Sequence, residues 1–335
     1  MSILTRFALL SVALISMSGC SMVYKTTGWF AYDFTEEYAI PYSLKTDDPQ
    51  MACAMTEGLT GGLLAFSEVA HTPDRPAITM YMMAGACAED RAQEEGLAYL
   101  RAFRVQNIGE AKDARIREKR QFALAANRQY TAYRHLMSQF GEPGKECPDM
   151  SEDEELFWVM GLLAGVQAVM NDVRAQGAVN VPKDIAMKAT RGIQCVDNER
   201  WWGIPQATSA AVNIMLPDAE SDSDPWAEMH AASRVASASG VRLAHAVEIT
   251  VADGSGNQQQ LRDAIRRHAA SVKTTPSNRQ FRMMDIMATR QIQAISDRLW
   301  TEATGARTPI GGLGTFWDDA RTQAPALDID DLLED

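Results

Sequence analysis

The chain has 335 residues, a formal net charge of −12 at pH 7 and 46% hydrophobic residues. This composition can build a buried core and excludes a disordered chain, and the negative charge argues against nucleic acid or anionic lipid as a partner. The length corresponds to one large domain or two small ones.

The N-terminus has the three parts of an export signal. Arg6 supplies a positive charge, residues 7–15 form an unbroken apolar run, and the small residues that follow end at Cys20. The run suits a signal peptide and is too short for a membrane-spanning helix, which needs roughly 17–25 apolar residues.

The segment Met17-Ser18-Gly19-Cys20 resembles the lipobox of bacterial lipoproteins, with Met17 where that family usually has Leu. The resemblance implies that residues 1–19 are a signal peptide, and that the thiol of Cys20 carries lipid. Several acyl chains are needed for stable anchoring, because one chain holds a protein only marginally. Ser21, in place of Asp, implies sorting to the periplasm-facing side of the outer membrane. The alternative is an ordinary signal peptide with a chance cysteine.

Residues 20–45 are predicted to form a lipid-anchored tether that is rich in aromatic side chains. Some of these rings can pack on the domain, and others can lie near lipid headgroups, where aromatic residues are favoured. The aromatic residues of the tether are Tyr24, Trp29, Phe30, Tyr32, Phe34, Tyr38 and Tyr42.

A helical-repeat domain is predicted over residues 46–304. Asp48 before Pro49 is typical of a helix start, and Ser151 with Glu154 forms a capping box. Apolar residues recur at spacings of three and four, as one face of an amphipathic helix requires. These patterns predict helices over residues 49–70, 77–104, 116–140, 152–170, 183–195, 205–216, 225–239, 241–252, 257–272 and 276–303.

At three places the helical pattern allows more than one structural interpretation. Gly58, Gly61 and Gly62 could let another helix approach closely or could mark a kink. Residues 241–252 contain β-branched side chains and could form a strand, but their helical surroundings favour a helix. Residues 156–170 are apolar nearly all round, and they are predicted to form the core helix because they are too few to span a membrane.

The predicted fold class is all-α, because no run of alternating strands is found. The helices are expected to form an array of helical hairpins, either a TPR-like α-solenoid or a compact helical bundle. The tetratricopeptide consensus W-x2-L-G-x2-Y is not found in clean form, so a repeat of about 34 residues is not predicted. Residues 305–335 are rich in Gly and Pro and then acidic, and they are predicted to form a flexible tail.

Four cysteines remain if Cys20 carries lipid, and an even number in an oxidising compartment permits two disulfides. They are Cys53, Cys87, Cys147 and Cys195. The favoured pairing joins Cys53 to Cys87 within one hairpin and Cys147 to Cys195 between a loop and a helix end. The alternatives are the other two pairings or four buried free thiols.

Three segments of the chain follow a recognisable order: an acidic-Pro helix start after the lipobox, an acidic-Leu-aromatic-Trp segment in mid-chain, and a closing helix. They are Asp47-Asp48-Pro49, Glu155-Leu156-Phe157-Trp158 and residues 280–299. In this order, residues 45–303 resemble the T component of TRAP-transporter-associated lipoproteins, the TatT family. The resemblance implies a non-enzymatic, TPR-like accessory of TRAP-type transport. Such a protein meets a periplasmic solute-binding protein and could pass on a small ligand, for which an apolar molecule is one candidate.

The sequence offers no catalytic constellation, so no enzyme activity, cofactor or metal is expected. The histidines do not form a metal-ligand spacing, no GxSxG segment occurs, and the glycine-rich residues 311–314 do not follow a strand. His230 and His245 lie on adjacent predicted helices and could meet, although unrelated surface positions are the simpler interpretation. A hydrolase would require a buried cluster of His, carboxylate and Ser in a cleft.

Two groups of residues are candidates for a ligand cleft between helices, where such sites tend to form. Trp158, Trp201 and Trp202 could line it, although filling of the core is the simpler role. Methionines could make a plastic binding surface, again with core filling as the simpler alternative. They are Met80, Met82 and Met83, and Met283, Met284 and Met287.

Three functions compete at this point. The first is a lipid-anchored periplasmic scaffold that binds a solute-binding protein or a small ligand on a concave helix face, as a monomer or an oligomer. The second is an envelope structural or assembly lipoprotein without a ligand. The third, an unrecognised hydrolase, is the weakest because the known catalytic spacings are missing.

Overall fold

The computed structural model describes residues 22–215 and 224–319. Within these ranges the chain forms helices and no strand, which confirms the all-α prediction. Cys20, the predicted signal peptide and residues 320–335 of the predicted tail lie outside the described residues.

The first helical segment runs from residue 22 to Lys45. It consists of α1 (residues 22–34), a turn of π-helix (Thr35–Ala39) and α2 (Ile40–Lys45). The helices that follow are α3 (Pro49–Ala65), α4 (Asp74–Arg104), α5 (Ile108–Phe140), α6 (Glu152–Arg174), α7 (Ile185–Gly192), α8 (Ile204–Met215), α9 (Pro225–Ser239), α10 (Leu243–Gly254), α11 (Gln258–Thr274) and α12 (Arg282–Thr304).

Capping residues set several of these boundaries. The carboxylate of Asp48 accepts hydrogen bonds from the N–H groups of Gln50 and Met51 at the start of α3, and the capping box of Ser151 and Glu154 begins α6. Residues 243–252 are helical, as expected, and contribute most of α10. The last helix begins at Arg282 and not at residue 276, and before it the backbone N–H of Asn278 donates to the carbonyl oxygen of Gly240 in the turn between α9 and α10.

The two ends of the described chain differ from the sequence prediction. Residues 22–45 are helical and pack on the domain, and Ile40 and Leu44 enter the main core. Residues 305–319 do not extend away as a tail, since Phe316 is 3% exposed in an apolar cluster with residues of α11 and α12. At this end, the burial of apolar side chains outweighs the flexibility that the Gly- and Pro-rich composition predicted.

The core is centred on α6. Trp158, Val159, Met160 and Leu162 are each at most 1% exposed, which confirms the prediction of a core helix. By length and composition, α6 is the one helix in the described part of the chain that could cross a membrane, and 61% of its most apolar stretch is buried in protein.

Close packing of α5 on α6 depends on glycine. A Cβ atom at Gly165 would lie 2.5 Å from the Tyr133 ring and 2.9 Å from the side chain of Ile185, and one at Gly161 would overlap Leu136. Real Cβ atoms do not approach other heavy atoms so closely. The two helices therefore meet at a distance that only glycine permits at these positions.

The glycines of α3 play no such part. No atom of the described residues lies within 4 Å of where a Cβ would stand at Gly58, Gly61 or Gly62. The expectation that these glycines let another helix approach closely is therefore wrong, because this face of α3 points to solvent.

Two disulfides tie helices together, and the favoured pairing is confirmed. Cys53 of α3 is bonded to Cys87 of α4, with the Cα atoms 5.9 Å apart. Cys147, in the loop after α5, is bonded to Cys195, in the turn after α7, with the Cα atoms 5.4 Å apart. Each closes a loop of several tens of residues, for which the loss of unfolded-state entropy stabilises the fold by about 2–4 kcal/mol.

The C-terminal half is organised by a buried ion pair. Arg242 is fully buried, and its guanidinium donates to Asp285 at 2.6 Å and to the hydroxyl and carbonyl oxygens of Ser271 at 2.8 and 2.9 Å. Gly240, with a φ of 72°, turns the chain from α9 toward this site. The pair joins the start of α10 to the end of α11 and the start of α12.

Replacement of Gly165 by Ala should destabilise the fold. The added methyl group must displace the Tyr133 ring or Ile185, and overpacking of this kind costs about 1–3 kcal/mol. Urea unfolding followed by circular dichroism measures the change. Gly61→Ala is the matched control, and it should raise the free energy of unfolding by roughly 0.5–1 kcal/mol because Ala favours helix. Equal effects of the two substitutions would contradict the close contact of α5 and α6.

Candidate functional site

A cleft opens between α3, α4 and α12, and we call it the methionine cleft. Its walls are methionine, alanine and leucine side chains, with a small number of polar groups. It is lined by Pro49, Ala52 and Cys53 of α3; Met82, Met83, Ala86, Cys87, Glu89, Asp90 and Gln93 of α4; Gln167 of α6; Leu243 of α10; and Met283, Met284, Met287, Ala288, Arg290 and Gln291 of α12.

The two methionine groups of the sequence meet in this cleft. Met82 and Met83 come from α4, and the group on α12 contributes Met283, Met284 and Met287. Four of the five are buried, and Met287 is partly exposed. Methionine side chains have three rotatable bonds and a polarisable sulfur, so they can reshape a cavity around a ligand.

Part of the cleft wall is separate from the main core. Ala52, Met83 and Met283 form a small apolar cluster of their own, against which Ile286 and Met287 pack. This cluster holds α3, α4 and α12 together with few side chains. Since few buried apolar contacts mark the regions of a protein that open most readily, the wall can adjust without disruption of the core around α6.

The disulfide between Cys53 and Cys87 forms one side of the cleft. It fixes α3 to α4 next to Met83. An ion cluster supports the same contact further along, where Glu57 of α3 pairs with Arg91 of α4 at 2.6 Å and with Arg128 of α5. These links hold the α3–α4 wall, so any widening must come from side-chain movement or from α12.

Polar groups line another part of the cleft. Asp90 pairs with Arg290 at 2.8 Å across α4 and α12, and burial raises the pKa of the Asp90 carboxyl above its ordinary value. Glu89 accepts a hydrogen bond at 3.1 Å from Asn171, which also donates to the buried Gln129 at 2.8 Å. The cleft thus combines apolar walls with a few fixed polar groups, as small-molecule sites do.

The cleft is narrow. About 50 Å³ of the cleft is open to the centre of a water-sized sphere. One water molecule needs roughly 10–15 Å³ of such volume. The space therefore suits a few waters or a small apolar group. A larger ligand requires the partly exposed side chain of Met287 to give way at the surface.

The three tryptophans that were candidates for a ligand cleft lie in the main core and do not line the methionine cleft. Trp158 donates its indole N–H to the carbonyl oxygen of Gly192 at 3.0 Å, and Trp201 donates to Glu155 at 2.6 Å. Trp202 packs edge to face against Trp201, with ring centroids 5.2 Å apart. All three are at most 5% exposed, so they fill the core, which was the simpler of the two roles.

A buried polar cluster lies apart from the cleft, between α9, α10 and α11. His245 Nε2 lies 2.9 Å from the Ser237 hydroxyl oxygen, and Ser233 donates to the carboxylate of Glu248 at 2.6 Å. His245 is a buried residue and not a surface one, and its ring meets that of His268 at 5.4 Å.

This cluster has the residue types of a hydrolase but not the arrangement. Nδ1 of His245 is buried and has no hydrogen-bond partner among the described residues, so no carboxylate orients the ring as a triad requires. His245 is 2% exposed and does not line the methionine cleft. The described residues also contain no group of three His, Cys, Asp or Glu side chains that could hold a metal ion.

His268 is kept neutral by its surroundings. It is fully buried, and neither ring nitrogen has a partner in the described part of the chain. Burial, together with the charge of Arg242 and the nearby His245, lowers its pKa to about 3. Burial likewise lowers the pKa of His245. Both rings therefore act as core side chains at neutral pH.

The polar groups that position the cleft are not apparent from the sequence patterns. Arg242 and Asp285 were not singled out, although a charged residue inside the apolar segment 241–252 is a signal of a buried ion pair. The sequence did not indicate that Gln129 and Asn171 are buried, because a polar residue on an amphipathic helix usually faces solvent.

The structure is that of an all-α protein with a narrow apolar cleft between helices. No protein-family model matches the chain, and neither a search of curated proteins nor a search of solved structures finds a match. The resemblance to the TatT family and to bacterial lipoproteins therefore remains a prediction that depends on the residues quoted for it.

Substitution of His268 by Leu should flatten the dependence of stability on pH. The ordinary pKa of 6.5 applies in the unfolded state and about 3 in the folded state, so the unfolded chain binds the extra proton as the pH falls below 6.5. Stability is complete above that pH and declines toward pH 3. At pH 5 the loss should be about 2 kcal/mol relative to pH 7.5.

Urea unfolding at pH 7.5 and pH 5 measures this difference in wild type and in His268→Leu. The matched control is His71→Gln, because His71 is exposed and its removal should leave the dependence on pH as in wild type. An unchanged difference in His268→Leu would show that the His268 ring takes up a proton in the folded state.

Proposed function

We propose that this chain is an exported, lipid-anchored helical protein of the bacterial envelope that binds a small apolar ligand in the methionine cleft. The cleft is the single observation that carries the proposal, since it is an apolar space bounded by flexible side chains and part of its wall lies outside the main core. In this function the chain binds its ligand and catalyses no reaction.

Two independent features support a location outside the cytoplasm. The segment that ends at Cys20 resembles a lipobox. The bonds Cys53–Cys87 and Cys147–Cys195 use all four other cysteines, and disulfides persist in oxidising compartments such as the periplasm. The two features agree, although they come from different parts of the chain.

The chemistry of the cleft favours a ligand that is mostly apolar and carries one polar end. Methionines from α4 and α12 would surround the apolar part, as they do in adaptable binding surfaces. Gln167 and the pair formed by Asp90 and Arg290 would meet the polar end. Arg290 would favour a ligand with an acceptor such as a carboxylate or carbonyl oxygen.

We propose a periplasmic solute-binding protein as the partner, with the chain as an accessory of TRAP-type transport. The support is the resemblance of residues 45–303 to the TatT family. An acidic chain that holds a small ligand near its surface would be suited to transfer that ligand during a transient encounter.

The second candidate is an envelope structural or assembly lipoprotein that binds no ligand. The narrowness of the methionine cleft favours it, because the space that water-sized molecules reach is about 50 Å³. The packing of Trp158, Trp201 and Trp202 in the core favours it as well. Ligand binding by the purified protein separates the two candidates.

Ala86→Phe should fill the cleft and abolish ligand binding. Ala86 is partly exposed and lines the cleft on α4, so a phenyl group can enter the space between the methionines. The neutral dye N-phenyl-1-naphthylamine, whose emission rises in an apolar site, is titrated against the full-length protein. We expect saturable binding to wild type and an affinity at least about tenfold weaker for Ala86→Phe, a loss of roughly 1.4 kcal/mol.

Ala54→Phe is the matched control, because Ala54 lies on the exposed side of α3 and does not line the cleft. It should bind the dye as wild type does. Equal binding by both variants, or an absence of binding to wild type, would favour the structural lipoprotein.

The proposed partner should be recovered from a periplasmic extract by the immobilised full-length protein. Mass spectrometry of the captured material is expected to identify a solute-binding protein of the TRAP type. Since transient encounters have small interfaces, capture is performed with a short cross-linker. Recovery of no solute-binding protein in repeated experiments would count against the transport role and would leave the cleft proposal standing.

A further inference from the structure

The first helical segment carries an exposed aromatic surface, which we call the aromatic face. Its six rings are between 53% and 74% exposed. Most soluble proteins expose apolar side chains singly, and a contiguous exposed patch marks a surface of interaction. The aromatic face consists of Tyr24, Trp29, Phe30, Phe34, Tyr38 and Tyr42.

The spacing of four of the six rings places them on one side of the helix. Phe30, Phe34, Tyr38 and Tyr42 are four residues apart, which keeps side chains on one face. The rings of Phe34 and Tyr38 stack with their centroids 5.9 Å apart. The surface is thus continuous along α1 and α2.

The opposite side of the same helix is fixed to the domain. A Cβ atom at Gly28 would lie 3.2 Å from the Cβ atom of Phe66, and Tyr32 is 4% exposed. Glu36 pairs with Arg75 at the start of α4 at 3.0 Å. Because these contacts hold one side of the helix, the aromatic face must point away from the domain.

The position of the aromatic face along the chain identifies what covers it. The described part of the helix starts at residue 22, two positions along the chain from Cys20, whose acyl chains are proposed to enter the membrane. A helix rises about 1.5 Å per residue, so Tyr24 lies at the end nearest the anchor and Tyr42 lies about 30 Å along the helix from residue 22. A helix this close to a lipid anchor in the chain can reach the bilayer surface along its whole length.

The residue types fit the headgroup layer of a bilayer. Tyrosine and tryptophan are enriched at membrane interfaces, where a ring has one apolar and one wet side. Residues 22–45 contain Lys25 and Lys45 against Asp33, Glu36 and Glu37, a net charge of −1. The helix therefore lacks the excess of positive charge that attracts anionic lipid, and the rings alone must provide the attraction.

We propose that the aromatic face of α1 and α2 lies against the zwitterionic headgroup layer of the membrane that holds Cys20. This inference depends on the lipid anchor of the proposed function. The domain then rests on the bilayer through a rigid helix and does not hang from a flexible tether.

The test uses the full-length, lipidated protein in phosphatidylcholine vesicles, with and without bromine on the lipid acyl chains. Bromine quenches the fluorescence of a nearby tryptophan, and acrylamide in the water quenches an exposed one. The signal of Trp29 is the difference between wild type and Trp29→Phe. The signal of Trp317, which is 38% exposed and outside the aromatic face, is obtained with Trp317→Phe in the same way.

We expect brominated lipid to quench the fluorescence of Trp29. Quenching of Trp29 by acrylamide should be at least about twofold weaker in vesicles than for the delipidated chain in detergent-free solution. Trp317 should respond to acrylamide only. The double substitution Phe34→Ser and Tyr38→Ser should remove the quenching by brominated lipid. Phe103→Ser, at an equally exposed ring on α4, should leave it unchanged.

The outcomes that overturn the inference are distinct. If mass spectrometry shows that Cys20 carries no acyl chain, both the lipid anchor and this inference fall. If Cys20 is acylated and Trp29 is quenched by acrylamide alone, the helix stands in water and only the inference falls. If Trp29 is shielded from both quenchers, a second copy of the chain or another protein covers the aromatic face, and the membrane is not its occupant.

Discussion

The contact between α5 and α6 is the constraint on which the rest of the fold depends. At Gly161 and Gly165 the two helices meet so closely that no larger residue fits. The same arrangement recurs between α4 and α5, where a Cβ atom at Gly85 would lie 2.5 Å from Gln129. Close packing thereby holds the three long helices α4, α5 and α6 together, and α4 contributes Met82 and Met83 to the methionine cleft.

The second wall of the methionine cleft depends on a different interaction. Asp285 follows Met283 and Met284 in α12, and its carboxylate is held by the buried guanidinium of Arg242. A buried ion pair loses the hydration of both charges, and it is tolerated only when hydrogen bonds replace that hydration. Ser271 and Ser277 supply such bonds. The pair therefore fixes the start of α12, and with it the methionines that face α4.

The two proposed surfaces use apolar side chains for different reasons. In the methionine cleft the side chains are flexible and mostly buried, which suits a ligand of variable shape. On the aromatic face the rings are rigid and exposed, which suits a broad and fluid surface such as a bilayer. Helix α3 links the two regions, because it contributes to the cleft wall and also packs against α1 and α2.

The sequence by itself determined the all-α class, most helix starts and the core helix. Each of these follows from local chemistry: caps such as Asp48 and Ser151, and the apolar run of residues 156–170. The sequence left three pairings of the four cysteines open, and the structure selected the favoured one. Only the tertiary structure decided that the methionines of α4 and α12 share a cleft, and that Trp158 lies in the core. Neither outcome can be predicted from neighbouring residues in the chain, because an apolar residue on a helix can pack against many different partners. The crossing of helices that are distant in the chain selects the partner.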